Sequence, residues 1–360
     1  MRARWWSLRC GIRAALVLVL AACGSAGPGR IAPSERDVLV IPGAGDRATV
    51  SGAGSTFVEP LLRQWIDRYK VLAPGVTIAY EAVGSPVGVG RMVAGEGDFF
   101  TSEFPLSEVQ EATLGGSEAI LQVPWAAGAI AAAYNLPEVG QLRLAPSTLA
   151  GIFSGRITRW TDPAIRADNS DVRLPDLPIS VVYRSDESGT TWIFSSYLSD
   201  SAPGWTLGRG RTIRLPRGSG AVGSNGVVEA LSRTTGSIGY VQLSWARQAS
   251  LGVAMLGNRS GRFVGPTPEA VNAALVSADL RAYGTTAQLN FNTEAPGAYP
   301  LSTFSYLILR RDMADVDKAR ALLHFASWAL GEGQRMAEPL GYARVPRQFQ
   351  LPGLSALQKG

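Results

Sequence analysis

An α/β fold is the reading the sequence supports, on three observations. Short apolar segments of strand character, Val76 to Tyr80 and Ile179 to Tyr183, alternate with a segment whose Leu61, Leu62, Trp65, Ile66 and Tyr69 fall at helical spacing. That alternation is the pattern of strands separated by crossover helices. Of 360 residues, 46% are hydrophobic and 18% charged, with 41 Gly and 22 Pro dispersed along the chain, a composition that excludes disorder, collagen and coiled coil. A chain of this length has room for two domains with sizeable cores, and it shows no internal repeat.

The first elements are an address rather than part of the fold. Arg2, Arg4, Arg9 and Arg13 precede an apolar run from Ala14 to Leu20 and the small residues Ala21 and Ala22, the pattern of a secretory signal over 1–22. Cys23, directly after Leu20-Ala21-Ala22, resembles the cysteine of a bacterial lipobox and is expected to carry a lipid anchor on the outer face of the cell membrane. Cys10 leaves with the signal, so one cysteine remains and no internal disulfide is expected. Residues 23–48, rich in Gly, Pro, Ala and Ser, read as a flexible tether. The formal net charge of +5 includes those four arginines, which leaves +1 for the rest and gives no sign of a nucleic-acid surface.

In the body, three segments repeat one design, in which a strand enters a loop of glycines and hydroxyls that opens a helix. They are Ser51-Gly52-Ala53-Gly54-Ser55-Thr56-Phe57, Gly84-Ser85-Pro86-Val87-Gly88, and Arg184-Ser185-Asp186-Glu187-Ser188-Gly189-Thr190-Thr191. Each places backbone N–H groups, the positive end of a helix dipole and hydroxyl donors around one point, which suits an anion. Taken singly, such a loop more often serves capping and turn geometry. Two nucleotide motifs are excluded: Phe57 stands where a dinucleotide fingerprint needs its last glycine, and Gly-Lys-Ser/Thr occurs nowhere.

Several ordered blocks then carry a resemblance: G-A-G-S-T-F at 52–57, S-E-F-P-L-S at 102–107, Q-V-P-W at 122–125, A-Y-N-L-P at 133–137, I-F-S-G-R-I-T-R-W at 152–160, R-S-D-E-S-G-T-T at 184–191, G-S-I-G-Y-V at 236–241 and W-A-L-G-E-G-Q at 328–334. Together they resemble the phosphate-binding proteins that feed the phosphate ABC importer. The resemblance implies a two-lobe, periplasmic-binding-protein-like (type II) fold with a hinge and a ligand cleft between the lobes. Lobe I would span 50–130 and 299–350, and lobe II 131–298. It implies a monomeric protein that binds inorganic phosphate outside the membrane and delivers it to ABC importer permease subunits. The family's phosphate ligands fall on Thr56, Phe57, Ser85, Glu103, Arg184, Ser188, Gly189 and Thr190, with Ser55 as an added donor.

Residue chemistry agrees with those roles. The Arg184 fork can grip two oxygens of an oxyanion, and Asp186 can hold the guanidinium. An ionised carboxylate at 103 only accepts, so it favours an anion that still carries a proton and leaves sulfate with a clash. Glu103 replaces the family's usual Asp, and its extra methylene matters against a hydrogen-bond window of roughly 2.5 to 3.0 Å. Pro86 departs too: it lacks an N–H, but it suits the first turn of a helix.

Other classes are weaker. The body's single histidine, His324, sits in a strongly apolar helical stretch and reads as packed or capping; a Ser188–His324 catalytic pair has no support, so no enzyme and no cofactor are expected. One His and one lipid-bound Cys offer no soft-metal site, although carboxylates alone can bind hard cations. A surface adhesin on the same scaffold, or a binder of sulfate, molybdate, arsenate or a phosphonate, is the alternative function. The tryptophans are expected mainly in lobe cores and the hinge.

Overall fold

The computed structural model describes residues 43–277, 279–280, 287–288 and 294–359. The signal at 1–22, Cys23 and the tether as far as residue 42 lie outside the described residues.

The main sheet has nine strands: β1 (Ala48–Gly54), β2 (Val76–Glu81), β3 (Phe99–Ser102), β4 (Ile120–Tyr134), β5 (Ser180–Arg184), β6 (Ser219–Ala221), β7 (Ser237–Gln242), β8 (Gly252–Val253) and β9 (Ser302–Arg310). Their order is β2-β1-β3-β9-β4-β7-β5-β6, with β8 also pairing β4. At one end β1 runs parallel to β2 and β3, and at the other β5 runs parallel to β6 and β7. Parallel pairs need crossovers, which the helices supply.

Strand β4 joins the two ends. Its 15 residues are all buried. Residues from Ile120 to Ala129 pair antiparallel with β9, and Ile130 to Tyr134 pair antiparallel with β7. The change of partner falls at Ala129/Ile130, beside the lobe boundary expected at 130.

Seven helices position the site and cover the sheet: α1 (Glu59–Leu72), α2 (Ser85–Val93), α3 (Gly189–Ser201), α4 (Gly223–Arg233), α5 (Leu243–Gln248), α6 (Val316–Leu330) and α7 (Arg347–Lys359). Pro60 near the start of α1, Glu59 in its first turn and Lys70 in its last match the helix dipole. Its apolar stripe buries Leu61, Leu62, Trp65 and Tyr69. Trp65 meets Trp125 of β4 with centroids 5.3 Å apart, and Tyr69 meets Phe325 of α6 at 5.1 Å. Near β5 and β7, Phe194 stacks on Tyr240 at 4.3 Å and meets Phe153 in a tilted pair at 4.7 Å. Full burial of such rings stabilises by about 1.5–3 kcal/mol each. Trp65, Trp125 and Trp160 are fully buried, whereas Trp192 and Trp245 are only half-buried.

Three expectations need correction. The flexible tether expected to run to residue 48 ends sooner, because Asp46 is buried, accepts Arg320 Nε at 3.1 Å and lies 2.6 Å from His324 Nδ1, and Ala48 already opens β1. Small-residue composition reports local propensity, and the partners that fasten Asp46 come from α6, 278 residues later in the case of His324. His324 is accordingly neither packed in the core nor a cap: its side chain is 37% exposed and fastens the entering chain. Burial pushes the Asp46 carboxyl up, but His324 and Arg320 outweigh it and hold the group below its ordinary value. At the C-terminus, α7 continues past the expected boundary at 350 and buries Leu357.

Candidate functional site

The C-terminal ends of β1, β2, β3 and β5 deliver the chain to a common region where α2, α3, α4 and the approach to α1 begin. At the end of β1, Gly54 adopts φ +143, and a Cβ there would stand 2.2 Å from the Thr101 carbonyl oxygen of β3. The Ser55 amide donates to Thr101 Oγ1 at 2.9 Å, which pins the turn to β3. Ser55 Oγ accepts from the Phe57 amide at 2.9 Å and donates to Glu103 Oε1. After β2, the Gly84 amide donates to the Gly54 carbonyl at 2.7 Å, bringing the start of α2 beside the β1 turn. Ser85, the first residue of α2, then donates from Oγ to Glu103 Oε2 at 2.5 Å. Pro86 lies in the first turn of α2, where its missing N–H leaves no intrahelical bond unmade.

The second wall starts at β5. Arg184 is 3% exposed and is held by Asp186 in a bidentate pair, Nε to Oδ1 at 2.7 Å and Nη2 to Oδ2 at 2.5 Å. Asp186 also accepts the Gly223 amide at the start of α4 at 3.2 Å. Arg184 Nη1 points to Thr56 Oγ1 at 3.5 Å, the outer limit of a hydrogen bond. Ser188 caps α3, accepting from the Thr191 amide at 3.3 Å. Behind it, a Cβ on Gly189 would stand 2.2 Å from Glu103 Oε2 and 3.1 Å from Ser85 Oγ, so only glycine fits this approach of the two walls.

All nine sequence-predicted residues therefore fall in one buried cluster. Ser55, Ser85 and Gly189 surround Glu103; Thr56 meets Arg184; Phe57 is tied to Ser55; Ser188 and Thr190 flank Gly189, and both are buried. Asp186 holds Arg184 as expected from its position. One detail differs from the expectation that each hydroxyl aims at a ligand: Ser55 and Ser85 both donate to Glu103. The longer glutamate reaches both serines with its two oxygens.

Sequence reasoning missed Ser224, Gly223, Trp245 and Tyr240. Ser224 Oγ lies 2.8 Å from Thr56 Oγ1, and Trp245 Nε1 donates to the Thr56 carbonyl at 3.0 Å. Tyr240 receives the Arg184 amide at 3.3 Å and lies 2.9 Å from Thr191 Oγ1. A signal for Ser224 was present: Gly218-Ser219-Gly220-Ala221-Val222-Gly223-Ser224 is a fourth strand, glycine-hydroxyl loop and helix start.

Electrostatically the cluster pairs one cation, Arg184, with two carboxyls, Asp186 and Glu103. With all three ionised it carries one net negative charge. Burial raises the Asp186 carboxyl, but the Arg184 guanidinium outweighs burial and holds it below its ordinary value. Glu103 goes the other way: burial lifts its carboxyl above the ordinary range despite the hydrogen bonds of Ser55 and Ser85 and the field of Arg184. Such a cluster accepts an oxyanion mostly through neutral dipoles, with Arg184 Nη1 and a proton shared at Glu103 beside them.

Residues 41–332 match the PBP superfamily domain. The chain is 36% identical over 303 residues to the phosphate-binding protein PstS of Xylella fastidiosa, covering 82% of this chain and 81% of that protein. This chain belongs to the PstS family of phosphate-binding proteins. It is likewise 34% identical over 367 residues to the PstS of Methanocaldococcus jannaschii, covering 95% and 92% of the two chains. Solved structures share the fold of this PstS chain. A high affinity periplasmic phosphate-binding protein (PfluDING) bound with phosphate aligns at a TM-score of 0.69 and 22% identity over 84% of this chain and 92% of that one. The phosphate binding protein of Stenotrophomonas maltophilia aligns at a TM-score of 0.63 and 16% identity over 86% and 93%. The fold is thus periplasmic-binding-protein-like, an α/β architecture with one long sheet.

Proposed function

We propose that this chain captures inorganic phosphate outside the membrane and hands it to the permease subunits of an ABC importer, acting as a monomeric binding protein and not as an enzyme. Lobe I comprises the chain from β1 to residue 130 and from residue 299 through α7, and lobe II 131–298. A lipid on Cys23 keeps the protein at the membrane surface. Phosphate sits in the cluster between the lobes, where Arg184 grips it from lobe II with the starts of α3 and α4. Thr56, Phe57 and Ser85 meet it from lobe I, and Glu103 shares a proton with it.

The observation that carries this reading is the charge balance of the cluster. One guanidinium, already neutralised by Asp186, and one buried carboxyl of raised proton affinity are matched to an oxyanion that brings a proton of its own. Phosphate near neutral pH meets that requirement and sulfate does not. The relatives' names, phosphate-binding protein PstS, support the same ligand.

Calorimetric titration of the purified mature protein tests it. Phosphate is expected to bind with a Kd of about 1 μM or tighter, about −8 kcal/mol or more favourable, and sulfate is expected to compete poorly. Glu103→Gln is expected to narrow the preference, because an amide can donate to either anion. Equal competition by sulfate overturns the reading.

A further inference from the structure

Phe104 follows Glu103 in the chain and is 6% exposed. Its ring is enclosed by two residues from the other half of the molecule. The guanidinium carbon of Arg211 lies 4.6 Å from the Phe104 centroid, and Trp192 of α3 meets the ring at 6.1 Å with an interplanar angle of 60°. Arg211 has a second attachment: its carbonyl accepts the Ser188 amide at 2.9 Å, just before the start of α3. The loop that carries it is fastened to α3 by the Gly210 amide, which donates to Ser195 Oγ at 3.0 Å. One residue thus reaches both the ring beside Glu103 and the backbone that opens α3.

We propose that Arg211, Trp192 and Phe104 form a clasp that holds the two lobes closed over the anion and sets how slowly the anion leaves. The proposal rests on the phosphate-binding reading above. A guanidinium over an aromatic face is attracted by the ring quadrupole, more strongly when water is excluded. Because the partners belong to different lobes, the contact forms when the lobes meet and its free energy favours the closed state alone. An interaction present in only one of two states shifts the equilibrium toward that state and raises the affinity of the ligand bound there. Arg211 acts through Phe104, so it is a positioning residue.

Stopped-flow measurement with inorganic phosphate separates this from a simpler role. A half-buried arginine near an anion site can also steer the ligand by its field, which changes the association rate and depends on salt. The clasp predicts that Arg211→Gln speeds phosphate dissociation about tenfold while association stays within about twofold. Arg211→Lys, which keeps a cation over the ring, is expected to recover most of the slow dissociation. Phe104→Leu is expected to speed dissociation comparably and to make Arg211→Gln silent, a non-additivity read from the double-mutant cycle. Phosphate-free Arg211→Gln protein is expected to unfold at the wild-type temperature. Slower association with unchanged dissociation, or additive effects of the two substitutions, overturns the clasp alone. Wild-type protein that takes up no phosphate overturns the functional reading and the clasp with it.

Discussion

Glu103 on one wall of the cluster and Arg184 on the other are both buried charges, yet they are held by different means. Arg184 brings its own counterion, with Asp186 taking two of its nitrogens and the start of α4 supporting Asp186 in turn. Glu103 lies among two serine hydroxyls and a glycine, and no bidentate cation holds it. The cation is therefore stabilised as a charge, whereas the carboxyl is driven toward its neutral form by burial. A buried carboxylate of raised proton affinity is a strong acceptor for a ligand that brings its own proton. The contrast is what gives the cluster a use for a protonated anion.

Removing the cation is the harshest way to break the contrast. Arg184→Met leaves Asp186 partly buried without its partner, and phosphate affinity is expected to fall about 100-fold, with stability lower by about 1–3 kcal/mol. Titration calorimetry and urea unfolding read the two effects. Retention of affinity within about tenfold would show that the dipoles alone suffice.

Narrowing the gap between the walls comes next. Gly189→Ala places a methyl 2.2 Å from Glu103 Oε2 and forces the walls apart or Glu103 aside. An overpacking cost of about 1–3 kcal/mol in stability is expected, together with weaker phosphate binding. A variant that binds and melts like the wild type would mean that the approach of Gly189 to Glu103 is not a constraint.

The smallest effects are the most specific, because the two carboxyls should respond to pH with opposite signs. Glu103 has a folded pKa above its ordinary value, so its contribution is fully present below that ordinary value and is lost as pH rises through the raised one. The melting temperature of phosphate-free Glu103→Gln, relative to wild type, is therefore expected to rise with pH above about 4.5 and to level off in acid. Asp186 has a depressed pKa, so its contribution is present above the ordinary value and is lost as pH falls through the depressed one. Asp186→Asn is expected to melt lower than wild type at neutral pH, with the difference shrinking in acid. Parallel pH profiles for the two variants would erase the distinction between the walls.

The loops around Ser55, Ser85 and Ser188 were legible in the amino-acid order because they rest on local chemistry. Glycine permits the turn, a hydroxyl follows, and a helix opens with its amides forward, all within a few residues. The same rule, applied once more, reaches Ser224. Periodicity likewise placed the buried stripe of α1, with Ile66 at its partly buried margin. Trp245 and Tyr240 carry no such local mark: an indole bonded to the Thr56 carbonyl from 189 residues away depends on how the sheet folds back.

Strand and helix character and the residue types able to hold a protonated oxyanion are properties of neighbouring residues and their spacing, and the chain states them directly. Which serine hydroxyls turn to Glu103, where His324 finds Asp46, and how Arg211 comes to lie over Phe104 are set by contacts between segments tens to hundreds of residues apart. Burial and hydrogen-bond partnership belong to the assembled molecule, since the same side chain is solvated or enclosed according to what the rest of the fold lays against it.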